Sequence, residues 1–449
     1  MELEAFVKEH LNIALTNLSK WIQINSVDDS KNAKPLKPFG EGVYQALQFI
    51  ASLAKKEGFE VDECEGYCTE IKFGNGPKLI SIYAHADVVP VSGDWKYPPF
   101  AGVIADQQMY GRGTSDDKGP AMAAFYALKY IKENINLNDY QMRLVIGGNE
   151  EKGSACLEYY FNQLHKPYPD YGFTPDGSFP LIYGEKGIAN YKSEINLDIK
   201  PLISFEAGVV INSVPDYAKA IMHLDKNFEN TLIKNKINYK ITYLESTMEV
   251  EVFGKASHGS LPEQGVNAGL VLLSAIGQHY NDEFLNYITK AYDDPFGKSL
   301  GLYFESELLH HTTYNVGLIS YHDKCFSMSV NFRYPETVNV ETVIISLNKR
   351  LPMRTILMSE SRPLLFNPDS PLVTTLLKAY QEVTKDYESQ IMTIGGGTYA
   401  KECRNTIAFG SAFPHRDDKI HDANESIHLS DFEQSISIYA TAIMYLLKL

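Results

Sequence analysis

Residues 78–87 read Lys78-Leu79-Ile80-Ser81-Ile82-Tyr83-Ala84-His85-Ala86-Asp87. The first seven form a mostly apolar run after Gly76-Pro77, which is typical of a strand buried on both faces of a sheet. A second run of this kind, at residues 142–146, precedes Asn149-Glu150-Glu151. Chemically active side chains therefore follow two predicted strands directly, which is where open α/β sheets gather their sites.

Apolar residues at helical spacing predict helices around these strands. The predicted helices cover residues 6–22, 43–56, 121–133 and 153–164. Helices that alternate with buried strands favour an α/β domain with helices packed on a central sheet.

From about residue 187 the pattern changes. Residues 189–197 and 247–253 alternate as strands do, residues 270–279 have helical spacing, and no metal-ligand cluster appears before about residue 362. A segment without site motifs, flanked by two that carry them, indicates an inserted domain. We predict a catalytic domain from residues 1–186 and 368–449, interrupted by an α+β domain at residues 187–367.

Composition limits the class of protein. A chain of 449 residues with 44% hydrophobic and 12% aromatic residues is a folded protein of more than one domain. The net charge of −15 disfavours nucleic acid as a partner. No apolar run approaches the roughly 18 residues of a membrane span, and the first residues lack a signal-peptide pattern. Cys64-x-x-x-Cys68 has no second pair of cysteines downstream. We expect a cytoplasmic protein with reduced thiols and no membrane partner.

Five short motifs carry histidines or carboxylates near breaks in regular structure. They are His85-Ala86-Asp87, the glycine-rich segment 111–119 with Asp116-Asp117, Asn149-Glu150-Glu151, Pro175-Asp176-Gly177, and His421-Asp422-Ala423-Asn424-Glu425. Each alone is explained by a capped strand end, a turn or a solvated acidic pair. Together they supply the ligand types that hold two divalent ions and activate a water molecule.

The spacing within these motifs suits a metal site. His85 and Asp87 point the same way on an extended backbone, so Asp87 can orient a metal-binding imidazole. Glu150 and Glu151 leave the backbone in different directions, so one can bind metal while the other faces the bound water as a general base. The loop before Asp116 lacks the phosphate-binding spacing, and its carboxylates favour cations.

The complete inventory is two histidines, one carboxylate able to bridge and two terminal carboxylates. His415 and His428 remain rivals of His421 because they lie near it in the chain. Mixed nitrogen and oxygen ligands suit Zn²⁺, with Mn²⁺ or Co²⁺ as alternatives.

In these five motifs the chain resembles the di-metal aminoacylase and carboxypeptidase G family, which includes succinyl-diaminopimelate desuccinylase and acetylornithine deacetylase. Within that family it is most similar to bacterial dipeptidases of the PepV type. The resemblance covers nearly the whole chain. It implies a catalytic domain with a mixed central sheet and an inserted lid domain.

The resemblance also implies a role for each ligand. His85 and Asp176 would bind one metal ion, Glu151 and His421 the other, and Asp116 both. Asp87 would orient His85, Glu150 would be the general base, and the peptide between Asp116 and Asp117 would be cis.

In the lid, Ala256-Ser257-His258-Gly259-Ser260 matches the family's histidine motif, so His258 is the implied group that polarises the scissile carbonyl. Asn212 and Arg333 match lid residues that reach the substrate. Gly395, Gly396, Gly397 and Thr398 resemble the loop that meets the substrate carboxylate, although a flexible turn also explains the glycines.

The resulting expectation is a monomeric dipeptidase that hydrolyses small peptides. An N-acyl amino acid deacylase on the same framework is an alternative, because it shares every metal residue. A non-catalytic peptide-binding protein is the alternative from another class, and an intact Glu150 speaks against it because binding alone needs no base.

Overall fold

The computed structural model describes residues 1–449. The chain forms two compact units. Unit 1 contains Met1–Tyr183, Phe366–Met392 and Thr398–Leu449, and unit 2 contains Gly184–Leu365 and Thr393–Gly397. None of the helices combines the length and the apolar character that a membrane span requires.

Ten α-helices form where apolar residues recur at helical spacing. They are α1 (Leu3–Ile22), α2 (Glu41–Lys56), α3 (Lys118–Asn134), α4 (Ala155–Asn162), α5 (Phe228–Lys234), α6 (Ala268–Tyr280), α7 (Glu283–Ala291), α8 (Val340–Arg350), α9 (Pro371–Thr384) and α10 (Leu429–Leu446). Side chains of Asn267, Asp282 and Asn339 accept backbone N–H groups at the starts of α6, α7 and α8.

Twenty-two strands complete the regular structure. They are β1 (Glu60–Asp62), β2 (Cys68–Gly74), β3 (Lys78–His85), β4 (Val103–Ala105), β5 (Gln108–Tyr110), β6 (Tyr140–Gly147), β7 (Tyr171–Thr174), β8 (Ile182–Glu185), β9 (Gly187–Asn196), β10 (Leu202–Ala207), β11 (Tyr217–His223), β12 (Tyr239–Tyr243), β13 (Thr247–Phe253), β14 (Glu305–Ser306), β15 (His310–His311), β16 (Thr313–His322), β17 (Cys325–Tyr334), β18 (Arg354–Ser361), β19 (Leu364–Leu365), β20 (Met392–Ile394), β21 (Thr406–Ala408) and β22 (Ser426–His428).

The central sheet of unit 1 is mixed. Its strands follow the order β1-β2-β6-β3-β7-β21, and Ile182 at the start of β8 pairs with β21. β3 runs parallel to both β6 and β7, and β7 runs parallel to β21. The β1–β2 and β2–β6 pairs are antiparallel. The carboxyl ends of β3, β6 and β7 therefore lie side by side at one edge of the sheet.

Helices cover this sheet and close one apolar core. α3 contacts α1, α10, β3 and β6. Its residues Ala121–Leu128 are all buried, because small alanines alternate with Phe125, Tyr126 and Leu128 and let neighbouring elements approach from several sides. Trp21 of α1 is fully buried and donates its indole N–H to the carbonyl of Ala46 in α2.

Unit 2 has its own sheet and its own core. Eight antiparallel strands follow the order β12-β13-β11-β10-β16-β17-β9-β18. α6 contacts α5 and α7 as well as β10, β11 and β13, and the buried side chains form a second cluster that includes Phe205, Val250, Leu272 and Phe332. Antiparallel strands combined with helices are an α+β arrangement.

The predicted fold class is confirmed: a mixed sheet flanked by helices, plus an α+β unit. The domain limits at residues 186 and 367 remain predictions. One feature of the chain path was not predicted: residues 393–397 return to unit 2 after the chain has re-entered unit 1. All five cysteines are free thiols, and Cys64, Cys68, Cys156 and Cys403 are buried.

Candidate metal centre

Three predicted ligand segments follow three adjacent parallel strands. His85 is the last residue of β3, Glu150 and Glu151 follow β6, and Asp176 follows β7. The register pairs His85 with Gly147 at the end of β6. Side chains distant in sequence thus meet at the carboxyl edge of the sheet because the strands run in the same direction.

The loop before α3 supplies Asp116. It leaves β5 at Tyr110, and Thr114 Oγ1 donates to the carbonyl of Gly111 at 2.7 Å within it. The peptide between Asp116 and Asp117 is cis, as the resemblance implies. Asp117 Oδ2 accepts the backbone N–H of His85 at 3.1 Å, which holds this loop against the end of β3.

His421 reaches the same place from the far end of the chain. β22 follows it and pairs antiparallel with β5, with Ser426 opposite Tyr110 and His428 opposite Gln108. This pairing places residues 421–425 beside the loop that carries Asp116, since that loop begins where β5 ends.

Asp116 lies between the two histidines. Its Oδ1 is 2.9 Å from His85 Nε2, and its Oδ2 is 2.8 Å from His421 Nε2. Asp176 Oδ2 lies 3.8 Å from His85 Nε2, and Glu151 Oε2 lies 3.3 Å from His421 Nε2. The five side chains form two sets that share Asp116, and within each set the ligand atoms lie within 4.8 Å of one another.

This donor geometry fits two divalent ions. Ligand atoms of a tetrahedral site with bonds of about 2.0–2.1 Å lie about 3.3 Å apart. The observed separations of 2.8–3.8 Å bracket that value. Each set offers one imidazole nitrogen and two carboxylates, which is the mixed donor set expected for Zn²⁺ or Mn²⁺.

The electrostatics of the cluster also favour cations. Partial burial by itself lowers the pKa of His421, but hydrogen bonds to Asp116 and Glu151 raise that pKa to about 11. Burial and carboxylates oppose each other at His85 in the same way, and Asp116 and Asp87 raise its pKa well above the usual range. Carboxylates strong enough to hold protons on both imidazoles would bind divalent ions in their place, releasing those protons.

Asp87 contacts both His85 and the Glu150-Glu151 segment. His85 Nδ1 lies 3.0 Å from the backbone carbonyl of Asp87 and 3.5 Å from its Oδ1. A proton on Nδ1, donated to that carbonyl, leaves the lone pair of Nε2 for a metal ion. The two oxygens of the Asp87 carboxylate accept the backbone N–H groups of Glu150 at 3.0 Å and Glu151 at 3.1 Å.

Glu150 lies beside this cluster and belongs to neither ligand set. Burial raises the pKa of its carboxyl group well above the usual range, and the negative charge of Asp176 adds to that effect. The preceding residue, Asn149, is buried and donates to Asp28 Oδ2 at 3.0 Å. The segment after β6 is therefore held from two sides, by Asp28 and by Asp87.

The rival histidines His415 and His428 belong to neither set. Two buried residues of the quoted motifs, Arg112 and Glu425, received no role from sequence and form an ion pair at 2.6 Å. Their presence in the motifs was visible, but a buried contact between residues so far apart in the chain leaves no periodic signal.

The predicted lid residues form a connected group within unit 2. The N–H of Gly259 donates to the carbonyl of Asn212 at 2.7 Å, and His258 Nδ1 lies 2.6 Å from Ser260 Oγ. Arg333 is buried and donates through Nη1 to the carbonyl of Gly395 at 2.8 Å. A Cβ atom at Gly395 would lie 3.0 Å from the Ser260 side chain, so this loop is in close contact with the His258 motif.

The rest of the glycine segment continues from there. Gly396 and Gly397 follow Gly395 in unit 2, and Thr398 begins the next segment of unit 1. Thr398 Oγ1 accepts the N–H of Ala400 at 3.1 Å, so this hydroxyl caps the following helical turn.

Comparison with known proteins identifies the family. The profile of peptidase family M20/M25/M40 matches residues 81–445, which include every predicted metal ligand. The chain belongs to this peptidase family. It is therefore a hydrolase of peptide bonds, and membership of M20 implies divalent metal ions.

The chain is similar to known proteins over nearly its whole length. It is 34% identical over 456 residues to the putative dipeptidase YtjP of Bacillus subtilis, covering 97% of each chain. It is 33% identical over 466 residues to a putative dipeptidase of Staphylococcus epidermidis, again covering 97% of each. The solved structure of the dipeptidase Dug1p from Saccharomyces cerevisiae has a TM-score of 0.62 at 15% identity, covering 99% of this chain and 98% of that one. This last likeness shows the fold.

Proposed function

We propose that this M20 peptidase hydrolyses dipeptides with two divalent ions held by the cluster around Asp116. The observation that carries the proposal is the position of one carboxylate between two imidazoles, at 2.9 and 2.8 Å. Each imidazole is accompanied by a further carboxylate, from Asp176 or Glu151. The dipeptide substrate is supported by relatives that are named putative dipeptidases and match over 97% of the chain.

In this proposal His85 and Asp176 hold one ion, Glu151 and His421 hold the other, and Asp116 holds both. Zn²⁺ suits the donors best, and Mn²⁺ or Co²⁺ can replace it. When bound, such ions lower the pKa of a water molecule from 15.7 to about 7 and polarise the substrate carbonyl.

Glu150 is the general base of the proposed reaction. It takes a proton from the attacking water as the carbon–oxygen bond forms, and it gives a proton to the amine as the peptide bond breaks. Its position supports this role, because the backbone N–H groups of Glu150 and Glu151 are held by one carboxylate, that of Asp87. The ligand Glu151 and the base Glu150 are then held in a fixed position relative to each other.

Six residues of unit 2 and Thr398 of unit 1 are proposed to recognise the substrate. His258 would donate to the developing oxyanion, an effect worth about 3–4 kcal/mol for a well-placed donor. Asn212, Arg333 and the loop of Gly395, Gly396, Gly397 and Thr398 would hold the rest of the peptide and its free carboxylate. The hydrogen bond from Arg333 to the Gly395 carbonyl supports a joint role for these two.

The experiment that tests this function is a substrate panel on protein stripped with EDTA and reloaded with Zn²⁺ or Mn²⁺. The panel contains free dipeptides, a tripeptide, and N-acetyl and N-succinyl amino acids. Metal-dependent cleavage of the free dipeptides alone supports the proposal. Cleavage of the acylated amino acids instead identifies a deacylase, and metal binding without any turnover identifies a peptide-binding protein. A cytoplasmic location and a monomeric state are further predictions, which fractionation and light scattering test.

A further inference from the structure

A buried ion pair contacts the backbone of two proposed metal ligands, Asp116 and His421. Arg112 and Glu425 are 1% and 0% exposed, and Arg112 Nη1 donates to Glu425 Oε2 at 2.6 Å. Neither residue is within the two ligand sets. A charged pair removed from water in this way persists only where further hydrogen bonds satisfy it, so its remaining contacts are informative.

Glu425 holds the backbone of the loop that carries Asp116. Its Oε1 accepts three N–H groups, from Gly113 at 3.0 Å, Ser115 at 2.9 Å and Asp116 at 3.2 Å. The carbonyl of Glu425 also accepts the N–H of Gly111 at 3.0 Å. One carboxylate thus sets the path of the loop up to the bridging ligand itself.

Arg112 extends the same contact to the second histidine. Its Nη2 donates to the backbone carbonyl of His421 at 3.2 Å. The side chain of His421 is 53% exposed, so packing alone restrains it little. The ion pair therefore links the backbone of Asp116 to the backbone of His421, whose side chains lie 2.8 Å apart.

We propose that Glu425 and Arg112 are positioning residues that set the metal affinity of the Asp116, Glu151 and His421 position. This inference rests on the proposed two-metal site and adds to it the groups that hold the His421 position in place. The His85 position shares Asp116 and so depends on the pair in part. It depends on the pair less than the His421 position does, because His85 is the end of a sheet strand and Asp117 Oδ2 accepts its N–H.

Glu425→Gln tests the pair with almost no change of shape. A glutamine oxygen can still accept the three N–H groups, but its amide NH₂ then faces the Arg112 guanidinium, where two donors meet. Groups that support metal ligands typically change metal affinity 10–100-fold when they are replaced. We expect a loss of that size at the His421 position and a clearly smaller loss at the His85 position, which has only Asp116 in common with it.

Glu70→Gln is the matched control. Glu70 is 2% exposed in β2, also in unit 1, and it accepts hydrogen bonds from Tyr160 and from Lys166. It shares burial and charge with Glu425 and contacts no proposed ligand. We expect it to lower the melting temperature without changing either metal affinity.

The measurement is a stepwise titration of the EDTA-stripped protein with Zn²⁺ by calorimetry, repeated with Co²⁺ to follow its absorption spectrum. His421→Ala identifies which of the two binding steps belongs to the His421 position. In the His421→Ala background, adding Glu425→Gln should lower the remaining affinity by less than it lowers the affinity of the His421 position when His421 is intact, because the remaining position keeps only Asp116 in common. At saturating metal, the kcat of Glu425→Gln should return to within about threefold of wild type, because the pair acts through binding.

Equal losses at both positions, or affinities unchanged while the melting temperature falls as in Glu70→Gln, overturn the inference. If Glu425→Gln does not fold, Arg112→Lys keeps the charge but cannot contact Glu425 and the His421 carbonyl together, and the same selective loss is required of it. Wild-type protein that binds fewer than two ions overturns the proposed site itself. That result is read from the unsubstituted protein alone, so the two failures are distinguishable.

Discussion

The Oδ1 atom of Asp87 accepts the backbone N–H of Glu150 at 3.0 Å. The carboxylate that follows β3 thereby holds the segment that follows β6. Its second oxygen accepts the N–H of Glu151 at 3.1 Å, while the carbonyl of Asp87 lies 3.0 Å from His85 Nδ1. One residue therefore connects a proposed metal-binding histidine, a proposed metal-binding glutamate and the proposed base.

Replacement of Asp87 tests this connection. Asp87→Asn keeps the shape but presents an NH₂ group to one of the two backbone N–H donors, which leaves that donor unpaired. We expect kcat/KM for dipeptide hydrolysis to fall 10–100-fold while the protein stays folded by circular dichroism. Unchanged kinetics would show that the two hydrogen bonds are irrelevant to the reaction.

Glu150 and Glu151 should respond differently to the same substitution. Glu150→Gln removes a proton acceptor that belongs to neither ligand set, so we expect kcat to fall 10²–10⁴-fold with two ions still bound. Glu151→Gln removes a ligand, so we expect one ion to be lost. Metal analysis beside steady-state kinetics separates the two outcomes, and loss of metal from Glu150→Gln would exclude its role as the base.

The three C-terminal histidines give a further test. His421→Ala should reduce the bound metal from two ions to one, because His421 Nε2 is the only imidazole nitrogen in its set. His415→Ala and His428→Ala are the controls, and each should keep both ions. Metal loss from either control, with both ions kept by His421→Ala, would show that His421 is not the ligand.

We predict that titration of Asp418 makes the free energy of unfolding depend on pH. Burial, reinforced by the negative charge of Asp431, raises the pKa of Asp418 from its usual 3.8 to about 6. The folded protein therefore binds this proton more tightly than the unfolded chain, so the group destabilises the fold above pH 6 and ceases to do so as the pH falls toward 4. Because the side chain is partly exposed, solvent screening reduces the effect. We expect Asp418→Asn to increase the free energy of unfolding by about 1 kcal/mol at pH 8.

Urea denaturation at pH 8 and near pH 4 measures that difference. The gain from Asp418→Asn should shrink toward zero at the lower pH. Asp417→Asn is the control, because Asp417 is exposed and its pKa is lowered by its hydrogen bond with Lys419. A gain of equal size at both pH values would show that titration of Asp418 is not the cause.

Much of the fold was predictable from local patterns. The apolar run at residues 78–84 became β3, and helical spacing near residues 6–22 and 43–56 became α1 and α2. The strand follows from a continuous apolar run and the helices from a periodicity of 3.6 residues, and a short window of sequence contains both signals. The direction and order of the strands, and the return of residues 393–397 to unit 2, depend on contacts between distant segments and were not visible in any window.

The sequence by itself determined which side chains are candidate metal ligands and which strand ends carry them, because the type of a side chain and the end of an apolar run are local properties. Only the tertiary structure decided which residues meet. β22 pairs with β5, and Arg112 thereby reaches the carbonyl of His421 across 309 residues of chain. That pairing selects His421 over His415 and His428 as the neighbour of Asp116, and it buries Glu425 among backbone N–H groups. Such contacts arise from the packing of the whole unit, since burial and strand pairing are properties of the folded chain.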